Sequence, residues 1–270
     1  MAAEGTTNDT GGSSVITPRR DSAVLQTADR ALQVLLAFRS RPEWGVSELA
    51  RELGLDKSVT QRLLSTLARR GFVLADPESR RYRLGATISV LARAAEQGGV
   101  LESTARPVLA ALARRIGESA TLNVPHGGAY RCAVAVDADG PVRYSATVGQ
   151  TIPAHGGAGG HAIFAFYPEE EIRRLVGDGP LPRFSEHTIV DPGELTDTYA
   201  RVRETGVAIS HGEYDANVIS VAAPCFVLGQ VVASIAIIGP HDRMAAKVDD
   251  AVELVREGTA RLEALLGGTG

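Results

Sequence analysis

Five residues at helical spacing carry the most specific chemistry in the chain: Ser58, Gln61, Arg62, Ser65 and Arg69. At about 100° per residue they fall on one side of a run from Lys57 to Arg70, while Val59, Thr60, Leu63, Leu64 and Leu67 fall on the other. An outward row of small hydroxyls, an amide and guanidinium groups matches the base edges of a DNA major groove. Arg pairs with guanine acceptors, Gln with adenine, and Ser approaches either closely. Lys57, at the start of the run, belongs to the same candidate set, as do Arg80 and Arg81 a short distance downstream. Alone, such a face suits the solvated side of a helical bundle better than a DNA groove.

A second candidate is the segment PAHGGAGGHA, residues 153 to 162. Glycines ahead of a helix expose backbone N–H groups able to hold an anion. Residues 157 to 162 match G-x-G-x-x-A, but no clear strand leads in and no G-K-[ST] follows. Neither a dinucleotide fold nor a P-loop is supported. Close packing explains a Gly-rich stretch equally well. Other chemistries are excluded more firmly. The chain has no G-x-S-x-G elbow and no H-E-x-x-H. Its His155, His161 and His211 are not at metal-ligand spacing, so neither a catalytic residue nor a metal ligand is assigned, and no cofactor is implied.

The elements that must position the first set are legible around it. A short helix opening at Ser47, with its hydroxyl as cap, stops at Gly54, where a tight helix–helix turn needs positive φ. Asp56 is the expected N-cap of the second helix and Gly71 its stop. Two strands follow, Phe72 to Leu74 and Tyr82 to Leu84, joined by a turn that Asp76-Pro77 initiates. An earlier helix from Thr27, as cap, to Arg39 offers Ala31, Leu32, Leu35, Leu36 and Phe38 as its apolar stripe, and Trp44 plugs the loop after it. Helix, Gly turn, polar-faced helix and basic hairpin, in that order, make a winged helix-turn-helix, and DNA binding is the reading.

Charge agrees with that placement. The net charge of −4 hides a basic stretch from Arg19 to Gly85, with 13 Lys+Arg against 8 Asp+Glu, on an acidic remainder. At 270 residues and about 150 per domain, two domains are expected. Apolar residues make up 44%, ordinary for a chain that buries a core. Cys132 and Cys225 stand apart with no C-x-x-C, which suits a reducing cytosol; no signal peptide or membrane span is evident, and the expected location is cytoplasmic.

The boundaries read from these signals are a flexible tail over 1–23, the winged helix-turn-helix over 24–85, a linker helix over 86–100 and a second domain over 101–270. Within the linker, Ile88, Leu91 and Ala95 form a narrow apolar seam suited to packing on another copy. From Leu101 a helix runs to a stop at Gly117. β-type runs follow at Ala120–Val124, Tyr130–Val136 and Val142–Val148, then a helix from His161 to Phe166 and one opening at Pro168. After a loop come a helix from Pro192 to Thr205, a strand from Val207 to His211, a hairpin of Val218–Val227 with Gln230–Ile238, and a closing helix from Lys247 to Leu266. This is an α+β domain with a mainly antiparallel sheet.

With those residues in hand, the chain resembles the IclR family of bacterial transcriptional regulators from Val24 to Leu266. SELARELGLDKSVTQRLLSTLARRGFV and YRLG look like the family's winged helix-turn-helix, PAHGGAGGHAIFA like its ligand loop, and GVAISHGEYDANVISVAAPCFVLGQVVASIAIIGP like its signature hairpin. The resemblance implies a GAF-like effector domain and a homodimer or dimer of dimers. It makes 101–270 an effector-binding and oligomerisation domain, and implies a repressor or activator of a catabolic operon whose grip on double-stranded operator DNA responds to a small organic-acid or aromatic metabolite. It places effector contacts on Gly157, Ala158 and Gly159 in the loop, on Ser210, Val218 and Ser220 in the hairpin, and near Ala236 and Ile238 on the last strand. Ser210-His211-Gly212 replaces the acidic pair common in the family, and Ala236 and Ile238 replace hydroxyl residues, which implies a less polar pocket. The competing reading is a small-molecule module that acts through protein partners rather than DNA.

Overall fold

The computed structural model describes residues 24–97, 99–139, 143–177 and 179–267; the expected tail over 1–23 lies outside them. The chain divides into two units between Ala95 and Glu96.

The first unit starts with α1 (Gln26–Ala37), followed by β1 (Glu43–Gly45), α2 (Val46–Glu52), α3 (Lys57–Arg69), β2 (Val73–Ala75) and β3 (Arg81–Leu84). The three strands form an antiparallel sheet with β3 in the centre. α1 packs by Val34 together with Ala31, Leu35 and Phe38 of the expected stripe, while Leu32 and Leu36 of that stripe stay out. Leu32 is 59% and Leu36 42% exposed, so the buried face is rotated from the one read in the sequence. Thr27 does not cap α1, which begins at Gln26 after Leu25 without a side-chain cap. Ser47 is likewise inside α2. That helix starts from Gly45, whose N–H is accepted by Glu48 Oε2 at 3.2 Å, a bond that lowers the Glu48 pKa. Gly54 turns the chain between α2 and α3 at φ +62, and Gly71 ends α3 at φ +71. Asp56 stands at the N-cap of α3 with no side-chain bond; its carbonyl accepts from the Thr60 amide and hydroxyl instead.

Trp44 is not in a loop. It lies on β1, 1% exposed, and its indole N–H donates to the Ala37 carbonyl at 3.1 Å. Around it Val34, Leu49, Leu64 and Val73 complete the core of this unit. After the wing, α4 (Ala86–Gln97) is tied down at its start, where the Thr87 hydroxyl donates to the Arg70 carbonyl.

The second unit opens with α5 (Val100–Ile116), ending on Gly117 at φ +72. Its strands are β4 (Ser119–His126), β5 (Ala129–Val136), β6 (Thr151–Pro153), β7 (Ala208–His211), β8 (Val218–Val227) and β9 (Gln230–Pro240), in the order β6-β5-β4-β9-β8-β7 and antiparallel throughout. The helices are α6 (Ala158–Phe164), α7 (Glu169–Val176), α8 (Pro192–Thr205), the single turn α9 (His241–Met244) and α10 (Val248–Leu265). α5 and α10 cover one face of the sheet around Leu109, Leu112, Ile235 and Val255; α6 and α8 cover the other around Phe164, Tyr199, Ala222 and Ala236.

Two expectations give way here. Of the strand read over Val142–Val148, the described residues 143–148 form none, because the chain meets β5 only at a turn: Cys132 bonds to Gly149 and Gln150, and the edge strand is β6. α6 starts at Ala158, three residues before the expected His161, so Gly159 and Gly160 lie inside it.

Candidate nucleic-acid interface and ligand cavity

α3 separates its residues as the helical spacing requires. Thr60, Leu63, Leu64 and Leu67 are buried, while Lys57, Ser58, Gln61, Arg62, Ser65 and Arg69 are exposed along the outer side. The wing adds Arg80, exposed and held at φ +55 by a tight turn. That turn is built by Asp76, whose Oδ1 accepts from the Glu78 and Ser79 amides, bonds that hold its carboxyl below the usual range. Arg81 differs from its neighbour. Its guanidinium is 2.7 Å from Glu48 Oε2 and 3.9 Å from Glu43 Oε2, so it pins the wing to the start of α2. One further contact links wing and helix: Gln61 Nε2 donates to the Tyr82 hydroxyl on β3 at 3.1 Å. Tyr82 was not singled out by spacing, since a tyrosine on a short strand carries no sign of which helix its hydroxyl will meet.

In the second unit, a small cavity of about 40 Å³, partly open to solvent at the exposed Asp215, is lined by Gly157, Ser210, Val218, Ser220 and Ile238, five of the eight expected effector contacts. The other three sit elsewhere. Ala158 is fully buried in the core beneath α6, and Ala236 is in the same cluster. Gly159 is a packing position: a Cβ there would lie 2.9 Å from Asn123 Nδ2 and 3.1 Å from the Tyr130 ring, and one on Gly160 would strike the Ala154 carbonyl. The glycines therefore let α6 approach β4 and β5 closely, and Ser234 Oγ on β9 donates to the Gly159 carbonyl at 3.0 Å.

The cavity wall also contains Tyr130, Tyr144, Ile152, Gly156, Glu213, Tyr214 and Asp215. Two carboxylates and three phenols make it more polar than the strand residues alone suggested. Tyr130 donates to the Gly156 carbonyl at 3.1 Å, and burial raises its phenol pKa. Tyr214 accepts from Gln150 Nε2 and its ring sits 5.1 Å from Phe184, which stacks on His155. Glu213 reaches beneath the wall to His161 Nε2 at 2.5 Å, joining α6 to the loop between β7 and β8. The clue in the sequence was the run Glu213-Tyr214-Asp215 between two strand patterns, which loop reading alone passed over. Among the described residues no three His, Cys, Asp or Glu side chains are grouped to hold a metal ion.

The two units match two family models. Residues 27–77 match the IclR helix-turn-helix domain, and residues 94–263 match the bacterial transcriptional regulator IclR C-terminal domain. The HTH-type transcriptional regulator BhcR of Paracoccus denitrificans is 28% identical over 243 residues, covering 88% of this chain and 87% of its own. Among solved structures, an IclR transcriptional regulator from Silicibacter sp. TM1040 is 29% identical with a TM-score of 0.61, covering 90% of this chain and 97% of that one. An IclR homologue from Microbacterium hydrocarbonoxydans in complex with 4-hydroxybenzoate shares the fold at 23% identity and a TM-score of 0.58, over 88% of this chain and 98% of that one. The matched helix-turn-helix carries the exposed α3 row and the matched C-terminal domain carries the cavity, and the chain belongs to the IclR family of bacterial transcriptional regulators.

Proposed function

We propose that this regulator controls a catabolic operon by binding a pseudo-palindromic operator as a symmetric dimer or dimer of dimers, with a small metabolite in the second unit altering the fit. The observation that carries the reading is the α3 face: an outward row from Lys57 to Arg69 opposite a buried side of Thr60, Leu63, Leu64 and Leu67. In this reading Ser58, Gln61, Arg62 and Ser65 meet base edges, and Lys57, Arg69 and Arg80 meet phosphates. Arg81 acts by holding the wing in place.

Uncovered apolar side chains support the dimer. Leu25, Leu32 and Leu36 of the α1 region, with Val90 and Leu91 of α4, are 42–77% exposed. The seam read over Ile88, Leu91 and Ala95 has no buried member. α4 then transmits the effector signal, since it joins the two units.

For the effector, the organic-acid and aromatic classes that the resemblance implies are not equally suited. Glu213, held from behind by His161, and Asp215 line the cavity, and among the described residues no Lys, Arg or His lines it, while three tyrosine rings do. A carboxylate placed against two others is repelled, so a metabolite held mainly through an aromatic ring is the better occupant, entering by expanding the small cavity. The relative bound to 4-hydroxybenzoate holds a ligand that is both a ring and a carboxylate, so it accords with this reading in its ring alone. Action in the cytoplasm follows from a DNA target; no described helix is long and apolar enough to cross a membrane. A module acting only through protein partners finds no support, and the relatives are regulators rather than enzymes.

The test is a panel of aromatic and short aliphatic metabolites titrated against the protein on DNA. Aromatic members should change DNA affinity, and the Ser210→Ala, Ser220→Ala pair should blunt that response. Silence from the aromatic compounds, or a response to short aliphatic acids alone, would overturn the assignment.

A further inference from the structure

On α3 the amide of Gln61 is exposed but is not free to turn. Its Nε2 donates to the Tyr82 hydroxyl at 3.1 Å and to Ser65 Oγ, one turn along the same face, at 3.4 Å. A glutamine amide has two N–H donors and one carbonyl. With both donors engaged inside the protein, the group left for a ligand is the carbonyl oxygen. Tyr82 is itself held firmly, on the central strand β3, opposite Trp44 of β1 and Ala75 of β2. Its ring therefore reaches α3 from the most constrained part of the wing sheet.

We propose that Tyr82 is a positioning residue for sequence recognition: it locks Gln61 as a hydrogen-bond acceptor, so this position selects a base carrying a major-groove amine, adenine or cytosine, over guanine or thymine. The proposal rests on α3 being the base-contacting helix. An unrestrained glutamine does something else: it reads adenine with both ends of its amide, accepting from N6 and donating to N7. Here the donor is already taken, so adenine loses its advantage over cytosine, whose N4 amine satisfies the carbonyl equally well. Guanine O6 and thymine O4 are acceptors facing an acceptor and are rejected. The wing thereby sets base choice at a position it need not touch.

The full-length protein is incubated with a pool of randomised duplexes, and the bound sequences are read for the wild type, Gln61→Ala, Gln61→Glu and Tyr82→Phe. Gln61→Ala identifies the position that Gln61 controls, as the one whose preference disappears. At that position the wild type should accept adenine and cytosine within about twofold, because a lone acceptor does not tell their amines apart. Tyr82→Phe keeps the ring and releases one N–H, and should shift the position toward adenine over cytosine by about tenfold, the usual gain of a two-bond contact. Gln61→Glu, a pure acceptor, should keep the rejection of guanine and thymine at lower overall affinity. Thermal melts by circular dichroism establish that each variant is folded. Adenine alone in the wild type, an unchanged profile for Tyr82→Phe, or guanine or thymine admitted by Gln61→Glu would each overturn the proposal. If a sequence is enriched but Gln61→Ala alters no position, the proposal falls while base reading by other α3 residues stands. If nothing is enriched, base reading by α3 falls with it.

Discussion

The outer face of α3 and the cavity under β7 and β8 are both polar, and they teach opposite lessons. On α3 the polar groups stand in water above a buried row of Thr60, Leu63, Leu64 and Leu67, and helical period alone says which side is which. In the cavity the polar groups come from separate segments of the chain, and the buried ones must find partners because burial strips them of water. Tyr130 therefore bonds to Gly156, Glu213 to His161 and Thr188 to the Glu213 carbonyl. An exposed site is written along one element; a recessed one is assembled by the fold.

The sharpest way to break this contrast is to remove what holds each region. Trp44→Ala empties the core beneath α3 and should cost about 3–5 kcal/mol, seen as loss of the first unit's thermal transition together with DNA binding. In the second unit the buried Glu118 carboxylate accepts from Arg243 at 2.6 Å and from Lys247 at 2.9 Å. Desolvation alone would raise its pKa, but these two cations outweigh it and leave the value below the usual carboxylate range. A depressed folded-state pKa contributes stability above the unfolded value that is lost as pH falls through the folded one. Glu118→Gln should therefore destabilise by about 2 kcal/mol at neutral pH, with a gap to the wild type that closes on acidification, read from chemical denaturation across pH.

Smaller effects separate the kinds of DNA contact. Arg62→Ala should weaken specific binding by about 1–3 kcal/mol and relax one operator position. Arg80→Ala should weaken all sequences alike and reduce the salt slope by about one. Arg81→Ala should act instead through the wing, lowering the thermal midpoint, since its charge is already paired with Glu48. The smallest expected signal concerns the thiols. Cys225 is fully buried, with a pKa pushed up to about 12 by desolvation, and Cys132 is shifted the same way, so neither should react with a thiol reagent until the protein unfolds.

How much of this was legible depends on the range of the forces. α8 and the β8–β9 hairpin fall close to where periodicity placed them, because caps, prolines and alternation act within a few residues. The expected caps Ser47 and Thr27 failed because Glu48 and plain backbone served those ends instead. β1 was invisible: three residues show no alternation, and it exists because β3 offers it an edge. On α1 two apolar faces compete, and only the packed fold says that Val34 goes in while Leu32 and Leu36 stay out. The glycines of residues 156 to 160 were ambiguous between anion binding and close packing. Contact of Gly159 and Gly160 with β4, β5 and the Ala154 carbonyl assigns those two to packing. Glu213 reaches His161, 52 residues away in sequence, a pairing that no local pattern encodes.

The central claim is that the α3 row reads a DNA sequence. Fluorescence anisotropy of the full-length protein on the duplex most enriched from a randomised pool, against a shuffled duplex and across a salt series, tests it most directly. Binding at least about 10³-fold tighter to the enriched duplex, with a steep salt dependence that Arg62→Ala shifts only for that duplex, is the predicted result. Equal affinity for both duplexes, or an Arg62→Ala loss of the same size on each, would contradict it.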